Sequence, residues 1–286
     1  MERELWRIVY HRLKWVARYY DQKFVRYQAW RVAAVLLWAA LHDRPVSWAC
    51  DKRNWTTTRL RPGRLPSPAT VSRRARRTAF HLFLNAVARG LRGDGPPAWE
   101  LFVDGKPLPV GRCSKDRDAR PSSHGKGYKL HALWGSRCLP EAWEVTAARE
   151  YEGAVAERLL PQVCGCGLLL GDGNYEASRL YDAAAESGYQ LLAPPDGRDT
   201  GTGHRYQSPH RLFALRWFAD GLGWRVYRDR GAIERLFGNA GSFGGGLGPL
   251  PNWVRRLGRV TRWVWCKLVI NAARILYRQE QKQRLQ

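Results

Sequence analysis

Apolar positions recur with helical spacing over the first ninety residues and in strand-like runs after that. The change falls at Arg92-Gly93-Asp94-Gly95-Pro96-Pro97, a turn-rich break that divides the chain into residues 1–95 and 96–286. In the first part, Leu5, Ile8, Val9 and Leu13 repeat on one face with Arg and Lys opposite, which predicts a helix. A second helix is predicted from about Phe24 to Leu41, ending before Asp43-Arg44-Pro45, and Pro45 opens a short helix through Val46-Ser47-Trp48-Ala49. Asn54 to Pro68, with its threonines, prolines and arginines, reads as an extended loop. Ser67 as N-cap and Pro68 as first helical residue then start one more helix. Its opening turns display Thr70, Ser72, Arg73, Arg74, Arg76 and Arg77, and its later part, Phe80 to Val87, is apolar enough to pack.

Past the break, Leu101-Phe102-Val103-Asp104 is a short apolar run ending on an aspartate, and Tyr128 to Trp134 and Pro140 to Thr146 read as two more strands. Glu150 to Val163 is an amphipathic helix. Leu168-Leu169-Leu170-Gly171-Asp172 is a buried strand, again ending on an aspartate; Ala177 to Ser187 is helix and Gly188 to Ala193 strand. A polar loop over Pro194 to Tyr206 precedes a helix at Tyr227 to Phe237. From Trp253 onward one long amphipathic helix is predicted, with Leu257, Val260, Val264, Leu268 and Ile275 inward and Arg255, Arg256, Arg259, Arg262, Lys267, Arg274 and Arg278 outward. The order of elements defines an α/β fold: a mixed sheet with flanking helices, preceded by a helical region.

Charge points to the partner. The chain carries +23 overall, unevenly spread: residues 1–100 hold 20 basic and 7 acidic side chains, residues 225–286 hold 13 and 3, and the middle holds 15 of each. Two basic arms around a neutral centre suit a polyanion, whose binding would be strong and salt-sensitive. Small hydroxyls and arginines at the start of the Ser67 helix are what a recognition helix offers to duplex DNA. The six cysteines are scattered, with no Cys-x-x-Cys pair, which fits free thiols in the cytosol and no zinc knuckle. The longest uncharged apolar run, Val32 to Leu41, is too short to span a bilayer, so no membrane is expected.

If Tyr227-Arg228-Asp229-Arg230-Gly231-Ala232-Ile233-Glu234 is helical, Tyr227, Arg230 and Glu234 sit at i, i+3 and i+7 and share a face. A phenol, a guanidinium and a carboxylate together suit a metal ion held beside a phosphate; a solvated polar face has the same spacing. The aspartates decide the emphasis. Hydrolysing an anionic phosphodiester calls for charge neutralisation on the attacking and leaving oxygens, which two Mg²⁺ ions supply, and Mg²⁺ takes hard oxygen ligands. Asp104, Asp172 and Glu234 are three such groups on two strands and a helix. Asp172 between Gly171 and Gly173 also reads as a turn or cap residue.

These residues resemble the DDE transposases of bacterial insertion sequences. Tyr227, Arg230 and Glu234 match in type and spacing a subgroup signature of Tyr, two residues, Arg, three residues, Glu, six residues, Lys. Val103-Asp104-Gly105-Lys106 and Gly171-Asp172-Gly173-Asn174-Tyr175 resemble its two aspartate segments, Tyr128-Lys129-Leu130-His131 its second strand, and Leu65 through Arg74 its DNA-binding helix. The resemblance implies an RNase H-like catalytic core over 96–286 and a DNA-binding region over 1–95. It implies that Asp104, Asp172 and Glu234 hold two Mg²⁺, with Mn²⁺ able to substitute, and that the enzyme cleaves and transfers strands of double-stranded DNA. Tyr227 and Arg230 would position the scissile phosphate, with Arg235, Lys129 and His131 as further DNA contacts. A homodimer on DNA in the bacterial nucleoid follows from bringing two element ends together. The signature breaks at Gly241, where it expects Lys; this implies compensation by Arg235 or the Arg255-Arg256 pair, a weakened enzyme, or a decayed copy. The alternatives are an RNase H-like nuclease that cuts without joining and a decayed or domesticated DNA-binding protein.

Overall fold

The computed structural model describes residues 2–20, 25–56, 59–93, 95–96, 98–111, 113–163, 165–195 and 206–284. Most of the predicted 194–206 loop, Cys164, and residues 21–24, where the second helix is predicted to begin, lie outside these. The chain forms two compact units, one of Met1–Asp94, Ala240–Trp253 and Arg262–Gln286, the other of Gly95–Asn239 and Val254–Thr261.

The first unit is helical: α1 (Glu2–Tyr20), α2 (Ala29–Leu41), α3 (Val46–Ala49), α4 (Pro68–Arg74), α5 (Thr78–Arg92) and most of the last helix. Its core is built on indoles. Trp38 and Trp55 stack with centroids 4.8 Å apart, and Trp6 meets both edge-on. The N–H groups of these three indoles donate to main-chain carbonyls, of Asn54, Ala49 and Leu60 respectively, which satisfies them in this apolar setting.

The predicted single helix from Ser67 is two. Val71 and Ala75 are buried, and continuing their 3.6-residue phase would bury Thr78, Ala79 and Leu82, all of which are exposed. The break at 75–77 re-phases the helix, so that α5 buries Phe80, Phe83, Leu84 and Val87 instead.

In the second unit, β1 (Glu100–Pro109), β2 (Gly127–Trp134), β3 (Ala142–Ala147), β4 (Gly167–Leu170) and β5 (Tyr189–Leu192) form one sheet in the order β3-β2-β1-β4-β5. The β1–β2 and β2–β3 pairs are antiparallel, while β1–β4 and β4–β5 are parallel. Helices α6 (Glu152–Leu159), α7 (Ser178–Glu186) and α8 (Pro209–Ala219) pack on this sheet; α8 falls where the sequence pattern predicts nothing. Helices α9 (Leu222–Tyr227) and α10 (Gly231–Gly241) follow, separated by a 3-10 turn at Arg228–Arg230.

One strand differs from expectation in a way that matters for chemistry. Asp104 is not at the end of β1 but in its middle, paired with Ala132 of β2. On its other edge β1 pairs with β4 only through Phe102↔Leu170, so residues beyond Phe102 belong to a one-sided hairpin. Pro107 and Pro109, which have no N–H to give, fall on this stretch.

The last helix, α11 (Leu257–Arg284), starts four residues later than predicted. Arg256 takes a positive φ of 72°, and the new helix is capped from a distance: Arg256 N–H donates to Asp116 at 3.0 Å and Leu257 N–H to Asp118 at 3.1 Å. Burial pushes the Asp116 carboxyl up, but hydrogen bonds from Arg256, Tyr128 and Asp118 outweigh it and hold the group below the usual carboxylate range. Residues 263–274 are buried on every side, which corrects the amphipathic reading. Lys267, predicted to face outward, is 1% exposed and donates to the carbonyls of Ala40 and Gly245 and to Asp43. Arg274 is buried over the Phe243 ring. Among the described residues the cysteines are free, and no helix is long and apolar enough to cross a membrane.

Replacing Asp116 by Ala strips the buried Tyr128 hydroxyl and the Arg256 N–H of their acceptor. The expected loss of stability is about 2 kcal/mol, read from the urea midpoint; an unchanged midpoint would show that α11 does not depend on this cap.

Candidate active site

The site is assembled by register. Phe102 of β1 pairs with Leu170 of β4, and two residues further along each strand direction stand Asp104 and Asp172. Each aspartate spends one oxygen on its own backbone: Asp104 Oδ1 accepts from Gly105 N–H at 2.7 Å, and Asp172 Oδ1 accepts from Asn174 N–H at 2.9 Å. Asp172 is therefore the cap of a 3-10 turn, Gly173–Tyr175, and a site residue at once. The remaining oxygens converge on one guanidinium. Arg230 Nη2 lies 3.4 Å from Asp104 Oδ2 and 3.7 Å from Asp172 Oδ2, and Arg230 Nη1 donates to Glu234 Oε1 at 2.8 Å.

Helix α10 presents Glu234 because Ile233, Phe237 and Ala240 are buried, one face of a 3.6-residue repeat, with Phe237 edge-on to Trp134. The 3-10 turn interrupts the expected continuous helix from Tyr227, yet Tyr227 still faces the acids. Burial raises its phenol pKa, Asp172, Asp104 and Glu234 add to the rise, and Arg230 opposes it, so the phenol keeps its proton at neutral pH. Its ring is steadied by Phe218 and Trp224.

Exposure separates the three acids. Asp104 and Arg230 are 18% and 19% exposed, Asp172 30% and Glu234 67%. An ion pair as open as Arg230–Glu234 contributes about 0–1 kcal/mol, so Glu234 is easily drawn to another partner. Burial lifts the Asp104 carboxyl above its ordinary value; Asp172 and Glu152 add to this, while the Gly105 N–H and Arg230 counter it.

Among the described residues, no three His, Cys, Asp or Glu side chains stand close enough as placed to share a metal ion. Arg230 is the cation that the carboxylates meet. The donors are all hard oxygen, all three acids turned to one positive group, which fits a divalent ion of the Mg²⁺ type in ligand chemistry.

The other candidate residues divide. Arg235 is exposed on α10, beside an apolar groove of about 610 Å³ lined by Trp99, Phe102, Ala232 and Leu236. Arg73, Arg76 and Arg77 are exposed; Thr70 and Ser72 are half-buried, and Arg74 is turned to the Tyr27 carbonyl. Ser67 caps α4 as predicted, accepting from Thr70 N–H. Lys129 is tied to Glu152. His131 is 2% exposed with Nε2 at 2.9 Å from Thr146 Oγ1, which makes it a core residue and not a surface open to DNA. Of the proposed compensating cations, Arg256 pairs with Asp118. Tyr175, the last residue of the Asp172 segment, bonds to Glu152 beside the aspartates; the sequence pattern assigns neither a role, and only their closeness to Asp172 and to a helix start points to them.

The strand order, with its antiparallel hairpin extended by parallel strands, together with the helices on it, defines the RNase H-like α/β class. A family model, transposase DDE domain, matches residues 95–269, more than half of the chain, and the chain belongs to that family. No curated protein and no solved structure matches it. Membership makes a nuclease or transposase role and a DNA partner the coarse functional assignment.

Two outcomes are expected. Burial pushes the His131 pKa from 6.5 down to about 4, so the unfolded chain takes up a proton near pH 6.5 that the folded chain refuses until about pH 4. Stability is then full above pH 6.5 and falls between 6.5 and 4, by on the order of 3 kcal/mol, a slope that His131→Asn should remove in denaturant titrations. Gly241 ends α10, and a Cβ there would stand 2.9 Å from the Leu247 carbonyl oxygen. Gly241→Lys should therefore cost about 1–3 kcal/mol of stability; a thermal midpoint equal to wild type would show that the turn yields freely.

Proposed function

We propose that this protein is a DNA transposase that binds the ends of its element and both cuts and joins strands there. The observation that carries the reading is the convergence of Asp104, Asp172 and Glu234 on Arg230 in a chain of the transposase DDE family. The three acids would hold two Mg²⁺ ions, with Mn²⁺ able to substitute, which when bound supply charge neutralisation on the attacking and leaving oxygens. Arg230, freed from the acids, is then placed to turn its guanidinium fork to the non-bridging oxygens of the scissile phosphate, and its buried Nε–H has no other partner. The Tyr227 phenol, protonated at neutral pH, donates to the same phosphate, and Arg235 stands on the exposed side of α10 for the neighbouring backbone.

In the cut, a water oxygen bonds to phosphorus and the P–O3′ bond breaks, leaving a 3′-hydroxyl on the element end. In the join, that hydroxyl bonds to a target phosphorus and a target P–O3′ bond breaks, the target oxygen taking the proton. The exposed arginines Arg73, Arg76 and Arg77 of the α4–α5 region, with Thr70 and Ser72, are the surface for duplex DNA. Two copies on paired ends, acting at the nucleoid, complete the reading. Gly241 favours a second reading, a copy that binds DNA without cutting it.

With purified protein, Mg²⁺ and labelled element-end DNA, cleavage and strand joining are expected. Asp104→Asn, Asp172→Asn and Glu234→Gln should each reduce cleavage at least about a hundredfold while leaving the band shift in place. Cleavage undiminished by all three would overturn the site. Binding without cleavage by the wild-type chain would select the second reading, and cutting without joining a nuclease.

A further inference from the structure

Beside the aspartates lies a second polar group that the proposed reaction does not use. Glu152, the first residue of α6, receives two donors, one on each oxygen. Lys129 of β2 pairs with Oε1, and the Tyr175 hydroxyl donates to Oε2 at 2.9 Å. Lys129 and Glu152 are 13% and 17% exposed and Tyr175 is 1% exposed, so water screens the group little. Both arms reach backbone that carries a site aspartate. The Lys129 stem crosses Gly105, the residue after Asp104: a Cβ at 105 would stand 2.7 Å from Lys129 Cδ and 3.2 Å from Glu152 Oε1. Tyr175 is the last residue of the 3-10 turn that Asp172 caps, and its ring packs on Gly171, where a Cβ would stand 3.0 Å from Tyr175 Cδ2. The hydroxyl of Tyr151, next to Glu152, also reaches the Asn174 carbonyl of that turn at 3.5 Å.

We propose that Glu152 is a positioning residue that sets the separation of Asp104 and Asp172 by bracing the hairpin at Gly105, through Lys129, against the Asp172 turn, through Tyr175. It does not itself hold an ion, because both its oxygens are committed to these donors. The brace is needed because Asp104 sits beyond the last β1–β4 pair, Phe102↔Leu170, and among the described residues no strand-to-strand pairing ties it to the Asp172 side. Residues that orient metal-holding groups typically change metal affinity about 10- to 100-fold when removed. This inference rests on the reading of Asp104 and Asp172 as metal-holding groups.

The test is Mn²⁺ affinity of the full chain without DNA, followed by electron paramagnetic resonance, with the thermal midpoint measured in parallel. Glu152→Ala, Glu152→Gln and Tyr175→Phe are compared with Asp104→Asn. The expected result is about a 10-fold or greater weakening in Glu152→Ala. Glu152→Gln, which keeps an acceptor for Tyr175, should weaken less, and Lys129→Met added to Glu152→Ala should weaken no further. Should Glu152→Ala not fold, Glu152→Gln and Tyr175→Phe, which preserve size, decide the matter by weakening Mn²⁺ at an unchanged midpoint. Wild-type Mn²⁺ affinity in folded Glu152 and Tyr175 variants, while Asp104→Asn loses it, overturns the brace alone. Wild-type affinity in Asp104→Asn overturns the metal reading beneath it.

Discussion

Three carboxylates facing one another repel, and the second unit depends on how that repulsion is met. Arg230 does it, with one guanidinium against Asp104, Asp172 and Glu234. Because each aspartate also anchors one oxygen to its own main chain, the free oxygens are aimed, not mobile, and the guanidinium is held at their meeting point. The arrangement is uneven by design of exposure. The Arg230–Asp104 contact is largely shielded, so its charge matters, whereas Glu234 lies in water and is held loosely. A cation that displaces Arg230 gains two shielded oxygens and leaves the arginine free for an anion. The same three contacts thus hold the site in its resting state and, in the function we propose, leave Arg230 available to a phosphate.

Much of this was legible in the sequence. Apolar runs of four to eight residues at Leu101, Tyr128, Leu168 and Gly188 gave the strands, and the glycines around Asp172 marked the cap that its bond from Asn174 N–H makes. The i, i+3, i+7 spacing of Tyr227, Arg230 and Glu234 places Arg230 beside Glu234, as their ion pair shows, even though a 3-10 turn divides the helix. What failed has a common cause: a linear pattern shows polarity but not enclosure. Lys267 and Arg274 read as an outer face because they are charged, yet carbonyls, a carboxylate and an aromatic ring supply inside the unit what water would supply outside. His131 alternates correctly for a strand but lies on a sheet covered on that side, so burial keeps it neutral. Asp104 was expected at a strand end because the apolar run stops there, whereas the hairpin with β2 carries the strand on through two prolines. Helix α8 was not predicted at all; its apolar and polar residues follow no single face.

The basic charge takes on a more specific meaning once burial is known. Of the 48 Lys and Arg side chains some are internal, as at Lys267 and Arg274, and some are paired with acids, as at Arg256 with Asp118 and Arg158 with Glu144. Arg73, Arg76 and Arg77 are exposed together at the junction of α4 and α5, at a place where the chain breaks a helix and spreads its side chains. Gly241 gains a local reason as well. The chain turns so tightly after α10, with Leu247 N–H donating to the carbonyl of Ala240 at 2.7 Å, that a side chain at 241 meets main chain. A glycine at 241 thus suits the shape of the turn that follows it.

The central claim is that Asp104 and Asp172 share a cation whose place Arg230 holds. A crystal of the full chain grown with Mn²⁺ tests it most directly, through anomalous scattering at the manganese edge. The account predicts density bonded to oxygens of Asp104 and Asp172, with Glu234 turned toward it and Arg230 withdrawn. Manganese bound elsewhere, with Arg230 still bridging the three acids at saturating Mn²⁺, would contradict it.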